Sequence, residues 1–275
     1  MSNVFNETIV LKDDSTLDKE IDFLKSIGKS DQNKIKGSYG ERQVLYQLSK
    51  ANEGMYVLRD INLEYNGMTA QIDFIVITSH HCYFVECKNY TGNIEINKNG
   101  EFVVNTNPGH KNGRKGIKSP LNQVEDQLEL FKKICLEDEE TVKKLLEKVR
   151  FKDYFRTLVV FTNQENIIKA SYAPKEVRSR VIKVDEIVRY IKRGSELHQG
   201  NRLNKEEMNA IGNYFLEKNV VQEINHSVPI QEEKQIAKES SIYDLLKDNI
   251  KIIILIIGLL AFFVFIVEYL VEYYS

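Results

Sequence analysis

The chain has 275 residues, with 38 Lys plus Arg against 40 Asp plus Glu, a formal charge of −2 and 42% apolar residues. That length fits one α/β domain with helical additions, and the near-neutral balance excludes a protein that draws polyanions over its whole surface, so any such attraction has to be local. Three cysteines, Cys82, Cys87 and Cys135, lack C-x-x-C spacing, which excludes a zinc finger and reads as reduced thiols with no disulfide partner.

Residues 1–36 are polar, carry no signal-peptide pattern and hold one weakly amphipathic stretch, residues 17–27, that reads as a helix before the core. A second helix follows. Glu41 precedes Val44, Leu45 and Leu48 by three, four and seven residues, so it sits on the apolar stripe, where a carboxylate needs a partner. An acidic residue favoured by the helix dipole is the plainer alternative. Gly37 and Gly40 suit a turn leading into that helix. Residues 57–63 and 69–78 flank Asn66-Gly67, the signal of a type I′ hairpin.

Residues 71–88 read Q-I-D-F-I-V-I-T-S-H-H-C-Y-F-V-E-C-K, an apolar hairpin interrupted by Asp73, Glu86 and Lys88. With Ser79-His80 as a two-residue turn, Asp73 stands opposite Glu86, Ile75 opposite Phe84 and Ile77 opposite Cys82. Alternation then puts Lys88 on the Glu86 face, with Ile72, Phe74, Val76, Tyr83, Val85 and Cys87 on the other. A four-residue turn would pair Asp73 with Lys88 and still keep the three together. With both faces otherwise apolar, the hairpin belongs inside a covered sheet, its polar groups at the rim. The pair His80-His81 decorates the turn. Two carboxylates about 4 Å apart repel by about 4 kcal/mol at an effective dielectric near 20, so they call for a cation or a shared proton. Hard oxygen donors suit Mg2+ or Mn2+, and a neighbouring lysine adds charge beside a phosphate or a metal-bound water. A cross-strand ion pair at a sheet edge is the alternative.

Residues 94–118 form a polar segment with Lys98, Lys111, Arg114, Lys115 and Lys118, read as a flexible basic loop that would attract nucleic acid through Lys111, Arg114, Lys115 and Lys118. A solvated surface loop competes with that reading, since aromatic residues are nearly absent there. Ser119 then caps a helix with Pro120 at its first position and Leu121, Val124, Leu128, Phe131 and Cys135 along its stripe, which puts Gln123 in the first turn. From there it reaches a phosphate, a metal-bound water or Glu41, or serves as an ordinary polar first-turn residue. Residues 157–161 and 181–184 are apolar strands; Asp185 caps and Gly194 ends the next helix, and Asn204 with Glu207 forms a capping box for another.

Residues 221–240 are a polar linker and residues 241–250 a short amphipathic lead-in to sixteen consecutive apolar residues, 252–267. As a helix this run is about 24 Å long against a hydrocarbon core of about 30 Å. Lys247 and Lys251 before it and Glu268 and Glu272 after it place a single-pass span in the cell membrane, with the amino-terminal domain in the cytoplasm.

Four ordered stretches, Gly37-Ser-Tyr-Gly40-Glu41, Gln71-Ile-Asp73-Phe, Val85-Glu86-Cys-Lys88-Asn-Tyr-Thr-Gly92 and Ser119-Pro120-Leu-Asn-Gln123, resemble the nuclease-related domain, NERD, of the PD-(D/E)XK nuclease superfamily. The chain departs from that family at Ser119-Pro120, where Asn-Pro is common, a change that bears on a helix cap more than on chemistry. The resemblance covers about residues 36–163 and implies a restriction-endonuclease-like α/β core, a mixed central sheet flanked by helices. It also implies metal-dependent hydrolysis of nucleic acid. Asp73 and Glu86, with the carbonyl of Cys87, would hold Mg2+ or Mn2+; Lys88 would orient or activate water and stabilise phosphate charge; Glu41 and Gln123 would complete the site. The expected layout is a helical extension (1–36), a nuclease core (37–163), an α/β extension (164–220), a linker with a juxtamembrane helix (221–250) and a transmembrane helix (251–271). A catalytically inactive module of the same fold, binding nucleic acid or a protein at the membrane, is the alternative.

The apolar run carries its own test. Alkaline carbonate should leave the full-length chain in the membrane fraction, and deleting residues 252–275 should release it; release of the intact chain by carbonate would exclude the span.

Overall fold

The computed structural model describes residues 8–10, 32–51, 54–107, 110–137 and 150–220. The helix expected at residues 17–27, the linker and the membrane span lie outside them; no helix among the described residues is long and apolar enough to cross a membrane. In chain order the elements are β1 (Thr8–Val10), α1 (Gln32–Ser49), β2 (Met55–Tyr65), β3 (Met68–Thr78), β4 (Cys82–Lys88), β5 (Asn93–Ile96), β6 (Phe102–Asn105), β7 (Arg114–Ile117), α2 (Pro120–Glu137), α3 (Phe151–Tyr154), β8 (Phe155–Phe161), β9 (Ile168–Lys169), α4 (Lys175–Arg178), β10 (Val181–Lys183), α5 (Ile187–Leu197) and α6 (Lys205–Lys218).

A mixed six-stranded sheet in the order β1-β2-β3-β4-β8-β10 forms the centre. Two hairpins fix its middle. Asn66 and Gly67, with φ of 49° and 77°, make the two-residue turn between β2 and β3, where Tyr65 pairs with Met68. Between β3 and β4, Thr78 donates its N–H to the His81 carbonyl at 2.8 Å, which leaves Ser79 and His80 as the turn and sets Ile75 opposite Phe84 and Ile77 opposite Cys82, as the sequence implies. His81 is a correction to the reading of the histidine pair: it is buried rather than displayed on the turn. β8 lies parallel to β4, and β10 parallel to β8.

Helices cover both faces. On one side Val44 and Leu48 of α1 and Ile187 and Ile191 of α5 pack on Phe74, Val76, Tyr83 and Val85. On the other, Leu121, Val124 and Phe131 of α2 and Tyr214 and Phe215 of α6 pack on Ile75, Ile77 and Phe84. Phe131 stacks on Phe215 at 4.3 Å, inside a group of rings that anchors α2 beside the end of β4. The Ser119 hydroxyl accepts the Asn122 N–H at 3.2 Å and caps α2. Asn204 and Glu207 exchange backbone and side-chain bonds of 2.8 Å at the start of α6, completing the expected capping box.

Three expectations are corrected here. Residues 94–118 are not a loop. They build β5, β6 and β7 of a second sheet, ordered β7-β6-β5-β9, because Ile94, Ile96, Phe102 and Val104 alternate and bury against the main core. Helix α5 starts after Glu186 with no side-chain cap from Asp185, and it runs through Gly194 instead of ending there. Gly37 and Gly40 lie within α1, which starts at Gln32. Gly40 serves close approach: a Cβ there would stand 2.6 Å from Thr162 Oγ1 and 3.2 Å from Asn89 Cβ, so only glycine lets α1 meet the end of β4.

Gly40→Ala should therefore lower stability by about 1–3 kcal/mol despite the better helix propensity of alanine. Thr162→Ala in the same chain should recover part of that loss in chemical denaturation. Equal effects of Gly40→Ala with and without Thr162 would show that the contact is not limiting.

Candidate active site

The side chains of the site are placed by a fault in strand alternation. Along β2, Tyr56 and Leu58 and then Ile61 and Leu63 belong to the α2-side core; along β3, Ile77 and Ile75 and then Ile72 do. Alternation slips by one residue at Asp60 and at Asp73, the two positions that the β2–β3 ladder skips between its Arg59–Phe74 and Ile61–Ile72 pairs. Asp60 has φ 51°, a left-handed conformation that aspartate tolerates better than most side chains, and its Oδ1 accepts from Gln71 Nε2 at 2.8 Å. Ile72 thus lies with Ile75 and Ile77, not with Phe74 and Val76 as strict alternation requires.

The β3–β4 ladder stops at Phe74 and Val85. Asp73 does not form the next pair with Glu86. Its Oδ2 accepts the Cys87 N–H at 2.7 Å, so the carboxylate fills the gap where the strands part. Beyond Lys88, Asn163 and Asn166 each donate to the Tyr90 carbonyl at 3.0 Å. Gly92, at φ 107°, lets the chain pass the Asn105 backbone, 2.6 Å from where a Cβ would stand.

Glu86 is 1% exposed and both its oxygens are engaged. Oε1 accepts from Lys88 Nζ at 2.5 Å and Oε2 from Gln127 Nε2 at 3.0 Å. Lys88 also donates to Gln123 Oε1 at 3.2 Å, and Gln127 to the Gln71 carbonyl at 2.8 Å. From α1, Glu41 is paired with Arg59 at 2.9 Å. Glu41, Asp73, Glu86, Lys88 and Gln123 therefore come together, although Gln123 contacts Lys88 rather than Glu41. Sequence reasoning missed Gln127 and Arg59. Both carried a signal: Gln127 is polar on the α2 stripe between Val124 and Phe131, and Arg59 directly follows the apolar run Met55–Leu58.

Electrostatics follow from three clustered carboxylates. Burial, then Glu86, then Glu41 push the Asp73 carboxyl well above the usual range. Burial would depress Lys88, but the charge and hydrogen bond of Glu86, with Asp73 and Tyr90, together outweigh it and hold the ammonium above its ordinary value. The Cys87 thiol is raised by burial first and then by Asp73, Glu41 and Glu86, which leaves it protonated and inert.

A hard divalent cation suits this set in kind: oxygen donors, excess negative charge, and Asp73 Oδ1 without a partner among the described residues. Among the described residues no group of three or more His, Cys, Asp and Glu side chains could hold a metal, so the ligands would be Asp73, Glu86, the Cys87 carbonyl and water. An open groove of about 710 Å³ leads away between β3 and α2, lined by Asp73, Gln123, Gln127, Lys118 and Lys133 together with Asp126 and Glu129. Of the four expected nucleic-acid contacts, Lys118 lines this groove. Arg114 is tied to Glu95 at 2.7 Å on the second sheet, Lys115 is exposed on β7, and the Lys111 side chain lies outside the described set.

Residues 36–162, a little under half of the chain, match the family model of the nuclease-related domain, NERD. The match supports that family for this segment. No curated protein and no solved structure matches the chain.

Because burial and then like charge raise Asp73, the folded state holds its proton more tightly than the unfolded chain, and stability is lost as pH rises from the unfolded value through the folded one. In chelator, Asp73→Asn should melt higher than the wild type at pH 7, with the gap closing as pH falls toward 4. A variant less stable than the wild type at both pH values would refute the charge clustering.

Proposed function

We propose that the nuclease-related segment, residues 36–162, hydrolyses phosphodiester bonds of nucleic acid with Mg2+ or Mn2+. The observation that carries this reading is geometric: Asp73 takes the Cys87 N–H beside the Glu86–Lys88 pair, and Asp73 lines a groove together with Gln123 and Gln127. Asp73, Glu86 and the Cys87 carbonyl would hold the ion, which when bound acidifies water and offsets phosphate charge. Lys88 stays protonated at neutral pH, so it acts by charge and position, orienting water and stabilising phosphate rather than removing a proton. Gln123 positions Lys88, Gln127 positions Glu86, and Arg59 holds Glu41. As a further part of the proposal, residues 252–267 anchor the chain in the cell membrane with this domain on the cytoplasmic side.

One observation favours a second reading, a catalytically inactive module that binds nucleic acid or a protein. Both Glu86 oxygens already have protein partners, so a metal would have to displace Lys88 or Gln127 or share an oxygen with them.

The test is incubation of the protein with single- and double-stranded DNA and RNA, with Mg2+, with Mn2+ and in chelator. Cleavage should require metal and vanish in Asp73→Asn, and Lys88→Ala should lower turnover about 10²–10³-fold while leaving metal affinity nearly intact. Metal-independent cleavage shared by Asp73→Asn would refute the site, and binding without cleavage under every condition would establish the second reading.

A further inference from the structure

The opposite end of β4 opens on a second groove, of about 1090 Å³, roughly 16 Å of strand away from Lys88. It is not part of the carboxylate site. Its walls are β10, α5 and the segment leading into β8, and their charge is one-sided. Five cations line it, Arg150, Arg156, Lys175, Arg189 and Arg193, against the acids Asp153 and Glu186. Each acid is already paired, Asp153 with Arg150 at 2.5 Å and Glu186 with Arg189 at 3.1 Å. Arg156 touches only the Lys152 carbonyl, at 3.4 Å, and Lys175 and Arg193 have no partner among the described residues. Three positive groups thus line one concavity without an acidic partner among the described residues.

The floor is aromatic. Tyr83 and Tyr190 meet edge to face at 6.1 Å, and His81 meets His198 edge to face at 4.8 Å. Fixed rings beside uncommitted guanidinium groups favour a ligand that is itself half planar and half anionic. A pocket of this volume also suits a small molecule rather than a flat surface contact.

We propose that this groove binds a nucleotide, its phosphates on Arg156, Lys175 and Arg193 and its base against Tyr190 and His198. The shared chemistry is a phosphorylated nucleoside, present either as a free nucleotide or as the 5′-phosphorylated end of a strand. Arg156 lines the same groove as His81, Tyr83, Tyr190 and His198, and its charge acts on the first three, although burial dominates their proton affinity. Burial first, then Arg156 and His198, hold His81 at about 4, so at neutral pH its imidazole presents a neutral ring. The site does not depend on nuclease activity at Asp73.

The full-length chain, in chelator, is titrated with ATP, with pyrophosphate, and with a short single-stranded oligonucleotide with and without a 5′ phosphate. ATP should bind at least about tenfold more tightly than pyrophosphate, and the double substitution Arg156→Glu with Arg193→Glu should weaken ATP at least about tenfold. Tyr190→Ala should weaken ATP but not pyrophosphate, while Lys118→Glu in the other groove should leave ATP binding unchanged. ATP binding more tightly than the phosphorylated strand assigns a free nucleotide; the reverse, through the same residues, assigns a strand end. The proposal is overturned by no binding of ATP or of either oligonucleotide, by binding indifferent to the Arg156 and Arg193 changes, or by equal affinity for pyrophosphate. Because nothing is cleaved in this titration, its failure and the failure of the nuclease reading are separate results.

Discussion

The break in alternation at Asp60 and Asp73 governs the rest of the site. In an unbroken hairpin Asp73 would project from one face of the sheet, and the Cys87 N–H would need a backbone partner. With β3 and β4 parting after Phe74 and Val85, the Asp73 side chain takes over that N–H and comes to lie within the sheet. Only from there can it sense Glu41, which α1 brings from one face, and Glu86, which Gln127 of α2 holds from the other. A left-handed aspartate inside a strand costs on the order of 1–3 kcal/mol, and the bond from Gln71 to Asp60 offsets part of it. Strain of this kind persists where the surroundings over-determine it, here two covered hairpins.

The second level is a charge balance left open. Among the described residues three carboxylates stand with two cations, and the cations are unevenly shared: Lys88 with Glu86, Arg59 with Glu41. Glu86, the most deeply buried of the three, is the best supplied, as a charge taken out of water must be. Asp73 has one backbone N–H and a weaker pull from Lys88, against burial and the repulsion of Glu86 and Glu41. Burial first, and then this deficit, raise the Asp73 carboxyl, and a proton or a hard cation are the two ways to remove the deficit.

Much of this was legible in the sequence, because short-range rules decide it. A two-residue turn fixes hairpin register, so Ile75 opposite Phe84 followed once Ser79-His80 was taken as the turn. The α2 cap at Ser119 and the capping box at Asn204 are likewise local. The slip at Asp73 was not legible, since alternation is assumed wherever it is applied, and a left-handed residue inside a strand leaves no pattern beyond an aspartate. The second sheet carried a signal in Ile94, Ile96, Phe102 and Val104, but charge counting over residues 94–118 hid it. Gly194 does not end α5, because glycine permits a helix end without requiring one. Glu41 was found by asking why a carboxylate stands on an apolar stripe, and the same question put to Gln127 would have found the second support of Glu86.

The second sheet also changes how the groove must work. Once residues 114–117 are a strand, Arg114 is held by Glu95, and among the described side chains of the four expected contacts Lys118 is the one that reaches the groove beside Asp73. There it meets Lys133, but also Asp73, Asp126 and Glu129, so acids outnumber bases along the lining. A polyanion gains little from such a surface unless cations come with it. That weighs for metal in substrate binding as well as in chemistry, and against a module that would hold nucleic acid in this groove by side-chain charge alone. A passive nucleic-acid groove would show the reverse balance, with bases in excess and unpaired, and that balance lies at the far end of β4, around Arg156 and Arg193.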